Sequence, residues 1–418
     1  MSAVDPVGAA GFLARYEGLK DRLPGDFRAR AAAAEAFRRI GFPGRRDEAW
    51  KYTNLRPLTE AAFHEPMSPV DDGQTLAGVA RLASVRLVFV GGHYRPDLSD
   101  QPEQGFATFS ERPDFPASRG EDQPMVALNT MLAEDGLVLD IANGIDAGTV
   151  QLASLATPGP GRATGFHPRH VIRLGHGAKL TLIETIQGEG IYLHNAVFDV
   201  HLAEGAELSV FRLQDESSTA FHFSTTFAEI GAGARFDSFV LSLGARLARS
   251  ELHARLTGAD ATVHTGGAQI LAGMQHGDIT TVIRHEAPRC ASRQNVKSVL
   301  TGRSRGVFQG RIEVARAAQK TDGYQMSQAL LLSPDAEIDT KPELEIFADD
   351  VKCSHGATVG ELDPEQMFYL RSRGIPEAEA RAMLVRAFLA EALEAVTHAG
   401  ARAAMETAGE LWWERQVA

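Results

Sequence analysis

Between about residues 170 and 265 the chain repeats one short pattern. Gly177-Ala178-Lys179-Leu180-Thr181-Leu182, Gly205-Ala206-Glu207-Leu208-Ser209-Val210 and Gly233-Ala234-Arg235-Phe236-Asp237-Ser238 begin on glycines spaced 28 residues apart. An aliphatic residue stands three positions before each: Leu174, Leu202 and Ile230. After each glycine, small or apolar positions alternate with polar ones, the two-residue period of a strand with one buried face. Glycine permits a tight corner between strands. A looser fourth copy runs from Leu256 to Val263. A fixed period with Gly corners fits a solenoid of stacked β-coils. It is longer than the roughly 18 residues of a coil built from three hexapeptides. A meander or sandwich with regular turn spacing is the competing arrangement. Stacked coils leave open ends, and helical caps at either terminus are the expected remedy.

The flanks carry a different period. Residues 1 to about 62 look helical: Asp26 to Ile40 is rich in Ala and Arg, and Gly41 can stop the helix. The stretch 64–125 mixes Pro, Gly and Asp with one apolar strand, Val85 to Val90. Near the C-terminus, Asp363-Pro364-Glu365 forms an N-cap with Pro and an acid in the first turn. Met367, Phe368 and Leu370 then share a face, Gly374 ends the helix, and a second helix follows Pro376. Its stripe of Met383, Leu384, Ala387, Phe388, Glu391, Ala392 and Leu393 packs either on the parent domain or on another subunit. The division expected is 1–125 helical and mixed, 126–358 β-coil core, and 359–418 helical.

Composition narrows the function. The 418 residues carry a net charge of −12. This is a poor footprint for nucleic acid and offers no polybasic run for a membrane surface. The first 25 residues lack the layout of a signal peptide, and no apolar run approaches a membrane span, so the expected compartment is the cytoplasm. Two cysteines, Cys290 and Cys353, exclude a zinc ribbon or four-cysteine cluster site made by this chain alone. Cys290 reads as core. There is no Gly-Lys dipeptide and hence no P-loop, no H-E-x-x-H, no complete G-x-G-x-x-G and no G-x-S-x-G.

One constellation stands out: Asp349-Asp350-Val351-Lys352-Cys353-Ser354-His355-Gly356. On a strand, Cys353 and His355 point to one face. Thiolate and imidazole are metal ligands, and the pair is equally a thiol–imidazole nucleophile, or a buried cysteine beside a structural histidine. One Cys and one His cannot complete the ligand set of a cluster, so a metal role predicts ligands from another chain. Asp349-Asp350 with Glu343 and Glu345 would suit a carbohydrate-cleaving β-helix, but adjacent aspartates on a strand face opposite sides.

The segment around this pair, Asp339-Thr340-Lys341-Pro342-Glu343-Leu344-Glu345-Ile346 into Ala348 through Thr358 and on through Phe368-Tyr369-Leu370-Arg371-Ser372-Arg373-Gly374-Ile375, strongly resembles the C-terminal signature of the SufB/SufD family, in its SufD form. Gly306-Val307-Phe308-Gln309-Gly310, Ala318-Gln319-Lys320-Thr321-Asp322, Leu330-Leu331-Leu332-Ser333 and, near the start, Glu48-Ala49-Trp50-Lys51-Tyr52-Thr53-Asn54 match it too. The resemblance is dense over about 285–395 and sparser elsewhere. It implies a mainly β protein, a right-handed parallel β-helix between helical termini. It also implies a non-catalytic scaffold for iron–sulfur cluster assembly, with a SufB-type subunit at the β-helix ends and a SufC-type ATPase on the C-terminal helices; a homodimer is a further possibility.

By the same resemblance His355 is the candidate iron ligand at the SufB–SufD interface, with Cys353 its neighbour in a less defined role. Iron or the cluster would be held transiently in the complex rather than stably by the single chain. SufB's cluster-building cysteine would follow Gln325, where this chain has Met326. The rivals are a carbohydrate-active β-helix using Asp349, Asp350 and His355, and a purely structural partner.

Overall fold

The computed structural model describes residues 7–66, 76–102, 105–115, 123–157 and 162–417. Parts of the N-terminal region (1–6), the mixed stretch (67–75, 103–104 and 116–122) and the core (158–161), with residue 418, lie outside the described residues. Two ten-stranded sheets face each other, and the chain alternates between them strand by strand. Lys179–Gly188 lies in one sheet, Tyr192–Leu202 in the other, and Glu207–Glu216 returns to the first. Pairing is parallel throughout the coils, which excludes a meander. Lys179 pairs in register with Glu207, and Glu207 with Arg235, one repeat per coil. The mainly β, parallel β-helix architecture with helical termini is as the sequence predicts.

The repeat has a direct physical basis. Leu174, Leu202 and Ile230, Ala178, Ala206 and Ala234, and Leu180, Leu208 and Phe236 all point inward and form one apolar column. Gly177, Gly205 and Gly233 turn the corners with φ of 64°, 68° and 62°. Each corner N–H reaches the next coil, as Gly177 N to Glu204 O and Gly205 N to Ala232 O, both at 2.9 Å. The same corner continues at Asp260, Arg289 and Lys320, also at positive φ, where no glycine marks it. There the stack compensates for backbone strain: the Arg289 guanidinium grips the Asp260 carboxylate at 2.7–2.8 Å. At Gly205 an added Cβ would find open space, its nearest atom 3.9 Å away, so only the left-handed backbone resists a side chain. Gly205→Ala is therefore expected to cost about 1–2 kcal/mol, read as a lower urea midpoint with unchanged slope.

The alternation read after each glycine holds only near the corners. In Lys179–Gly188 it extends over the first four residues; the four that follow, Ile183 to Ile186, are all buried. Both sheets are covered on their outer faces by helices, so mid-strand residues are buried on both sides. Gly8–Leu19, Phe27–Ile40 and Pro124–Leu132 lie over one sheet, with Phe12, Phe37 and Leu128 packed on Leu193, Phe221 and Phe223. Glu377–Leu393 and Ala399–Val417 cover the other, with Val385, Leu393 and Trp412 on Phe211, Phe239 and Ile270. The helices thus flank the solenoid and do not cap its ends as expected.

Gly41 ends the N-terminal helix as read, at φ 64°, and Asp26 caps its start by accepting from Arg28 N. Val85–Val90 is a strand and pairs in parallel with Asp146–Ala156, inside the first sheet. Cys290 is fully buried, and burial pushes its thiol up.

The Glu48–Asn54 motif straps the solenoid from outside. Trp50 lies 4.1 Å from the buried Arg249 guanidinium, which pairs with Glu251 and Asp278. Thr53 bonds Asp278 and approaches His276 Nε2 at 2.9 Å, while Glu48 reaches Lys341 at 2.5 Å. Arg249→Ala strands two buried carboxylates, and a loss of about 3–5 kcal/mol is expected in chemical denaturation.

Candidate functional site

The last two strands, Glu337–Ile346 and Lys352–Gly360, end their respective sheets. Their inner rows continue the core of the coil before them. Register partners in a parallel sheet point the same way, so the buried row Gly323, Gln325, Ser327 and Ala329 is continued by Cys353, His355, Ala357 and Val359. In the other sheet the buried pair Ile312 and Val314 is continued by Leu344 and Ile346. Among the described residues no further coil covers this end, so a cross-section of core is left open. Val359 is 54% exposed and Ile346 39%. Pro342, which has no N–H to donate, sits on this terminal strand, where such a residue is tolerated.

Cys353 and His355 share one face as predicted, and that face is the open end. His355 is exposed and makes no hydrogen bond or ion pair to another described residue. An exposed, unengaged imidazole is available as a ligand. Cys353 is half-buried and packs toward Ile312 and Gly323. Burial pushes its thiol above the usual range, which disfavours the thiolate.

Met326 lies on the adjoining strand in register with Gly356. A Cβ on Gly356 would come within 2.8 Å of the Met326 methyl, so glycine there gives Met326 its space. Asp349 and Asp350 lie in the bend before the strand, not on it, and are exposed.

Sequence reasoning missed Gln325. It is fully buried, pairs in register with His355, and neither end of its amide has a hydrogen-bond partner. An unsatisfied amide beneath an exposed imidazole is a polar spot in an otherwise apolar row. Its signal is the strand register, which links residues 30 apart.

The helix Pro364–Ser372 follows directly and buries none of its residues. Its N-cap is as predicted: Asp363 accepts from the N–H groups of Glu365 and Gln366. Phe368 is 76% and Tyr369 57% exposed, beside a cleft of about 830 Å³ bordered by Leu332, Leu362, Met367 and Arg381. The next helix, Glu377–Leu393, packs on the parent domain through Ala380, Val385, Ala392 and Leu393; Met383 and Ala387 of the predicted stripe face outward. Its Glu391 reaches out to the buried Lys297, whose ammonium also stands 4.4 Å from the Phe388 ring.

A two-sheet parallel solenoid thus ends in an uncovered strand that carries Cys353 and His355. Residues 157–388 match the family model described as "SUF system FeS cluster assembly, SufBD core domain". The chain is 35% identical over 368 residues, 87% of each chain, to the iron-sulfur cluster assembly protein SufD of Escherichia coli. It is 31% identical over 401 residues to an iron-sulfur cluster assembly SufBD family protein of Synechocystis, covering 88% of this chain and 86% of the other. It is 29% identical over 389 residues to the chloroplastic protein ABCI7 of Arabidopsis thaliana, covering 88% and 82%. The chain belongs to the SufBD family, and its role is in iron–sulfur cluster assembly. Among its described residues no helix is long and apolar enough to cross a membrane.

Proposed function

We propose that this chain is a non-catalytic scaffold subunit that docks its open solenoid end against a SufB-type subunit, where His355 serves as an iron or cluster ligand. The observation that carries this reading is the interrupted core row. Cys353, His355, Ala357 and Val359 continue a buried column and end uncovered. A partner with its own coil end would restore both the burial and the strand pairing. The ligands missing from this chain would come from that partner, with Cys353 as a secondary candidate. The iron and sulfide are cargo, held transiently in the complex.

The exposed helix Pro364–Ser372 and its cleft are the docking face assigned to a SufC-type ATPase. ATP binding and hydrolysis there would bias a two-state interface and open the His355 end. A homodimer through the same end uses the same surface. The carbohydrate-active rival loses its groove, because Asp349 and Asp350 sit at an exposed corner apart from the inner row.

The test is anaerobic co-expression with SufB- and SufC-type partners. Co-elution of all three with iron and acid-labile sulfide is expected. A chain that elutes alone, with the partners loading cluster without it, overturns the reading.

A further inference from the structure

A second cluster of potential ligands lies deep inside the solenoid, remote in register from the open end. His194 and His222 are register partners on Tyr192–Leu202 and Phe221–Ile230, and Glu216 closes the strand Glu207–Glu216 in the opposite sheet. Among the described residues this is the one group of three or more His, Cys, Asp or Glu side chains with converging ligand atoms, all within 4.8 Å of one another. Each of the three side chains is at most 1% exposed.

The neighbouring charges set this cluster apart. The other buried acids are provided for: Glu184 holds Arg212, Asp199 holds Arg169, Asp278 holds Arg249, and Asp135 accepts backbone N–H groups from Tyr94 and Gly136. Glu216 has no Lys or Arg in contact; its ionic neighbours are the two imidazoles, and Gln214 donates at 2.9 Å. A buried carboxylate needs a compensating cation.

The imidazoles lie against the carboxylate without a well-aligned hydrogen bond to it. His222 Nδ1 stands 2.8 Å from Glu216 Oε2, yet its ring is not aligned for a bond, and both its nitrogens lack a partner. His194 Nδ1 is 3.6 Å from Glu216 Oε1, and its Nε2 is also without a partner.

We infer that His194, Glu216 and His222 form a binding site for a divalent first-row transition-metal ion inside the solenoid. Two imidazoles and a carboxylate suit Zn²⁺ or Fe²⁺, not the oxygen-seeking Ca²⁺ or Mg²⁺. Bonds of about 2.0–2.2 Å to N and O require the ligand atoms to draw somewhat closer than their widest present separation, within reach of rotations of the side chains. A groove of about 1240 Å³ borders the same corner, with Glu189, Asp215 and Glu216 among its walls, while the Glu216 carboxylate itself is buried.

The test uses the full-length chain carrying Cys353→Ser and His355→Ala, which removes the open-end ligands. After chelator treatment it is given Zn²⁺ or Co²⁺, desalted, and its retained metal measured. Retention of one equivalent is expected, with a raised Tm and visible Co²⁺ bands. Both effects should vanish in the near-isosteric Glu216→Gln and in His222→Ala. X-ray absorption of the Zn²⁺-loaded parent needs no further variant and should show imidazole and carboxylate scattering. No retained metal, equal retention in Glu216→Gln and His222→Ala, or a sulfur ligand from Cys290 would each overturn the assignment.

Discussion

His355→Ala is expected to leave the chain folded and the complex assembled while iron and acid-labile sulfide fall together by at least about tenfold, the scale on which metal sites respond to loss of a supporting group. Its side chain is exposed at the open end and bonded to no other described residue, so its removal creates neither a cavity nor an orphaned partner. Folding should therefore change little. Cys353→Ser should cost less loading. That thiol is half-buried, leans on Ile312 and Gly323, and is held protonated by its surroundings. The measurement is iron and sulfide per complex after anaerobic co-purification, with co-elution as the control. Equal loading by wild type and His355→Ala would make the chain a structural subunit and put the chemistry wholly in its partner.

Acid is expected to unfold this protein early. Burial lowers His170 to about 3 and His276 and His285 to about 4. Their contacts suit the neutral ring. His170 Nδ1 accepts from Leu137 N at 3.0 Å, and its ring stacks on Phe198 at 4.4 Å; His285 Nε2 meets Ser292 Oγ at 2.9 Å. In the unfolded chain each histidine titrates near 6.5. The folded values lie lower, so below about pH 6.5 the unfolded state binds more protons and stability falls with pH. The loss runs from about 6.5 down to the folded values and reaches roughly 3 kcal/mol or more for each histidine. Glu251, brought to about 2 by Arg249 and His253 against the opposing effect of burial, adds a further loss in the same direction below its usual range.

Urea midpoints measured between about pH 7 and pH 5 should fall steeply. His285→Gln should flatten the slope by about 1.4 kcal/mol per pH unit. A flat wild-type profile across that range would mean these rings are not buried as neutral groups.

Residue order alone determined the coil. The spacing of Gly177, Gly205 and Gly233, with an aliphatic before and an alanine after each, states the corner, the inward column and the stacking period. All of these are local consequences of φ preference and two-residue alternation. The same holds for the helix stops at Gly41 and Gly374, the cap at Asp363, and the shared face of Cys353 and His355. The corner at Asp260 falls within the looser fourth copy, but those at Arg289 and Lys320 were not legible. Their left-handed backbone is tolerated because neighbouring coils bond and pair across it, a cost and a compensation that lie about 30 residues apart.

Only the tertiary structure decided three further things. It placed the helices along the sheet faces, because mid-strand rows such as Phe211, Phe239 and Ile270 needed cover on their outer side. It left the last coil bare, so that an inward-pointing His355 became exposed. And it brought His194, Glu216 and His222 together across two sheets. Sequence distance carries no information about such a meeting; the register of parallel strands, set by the whole stack, does.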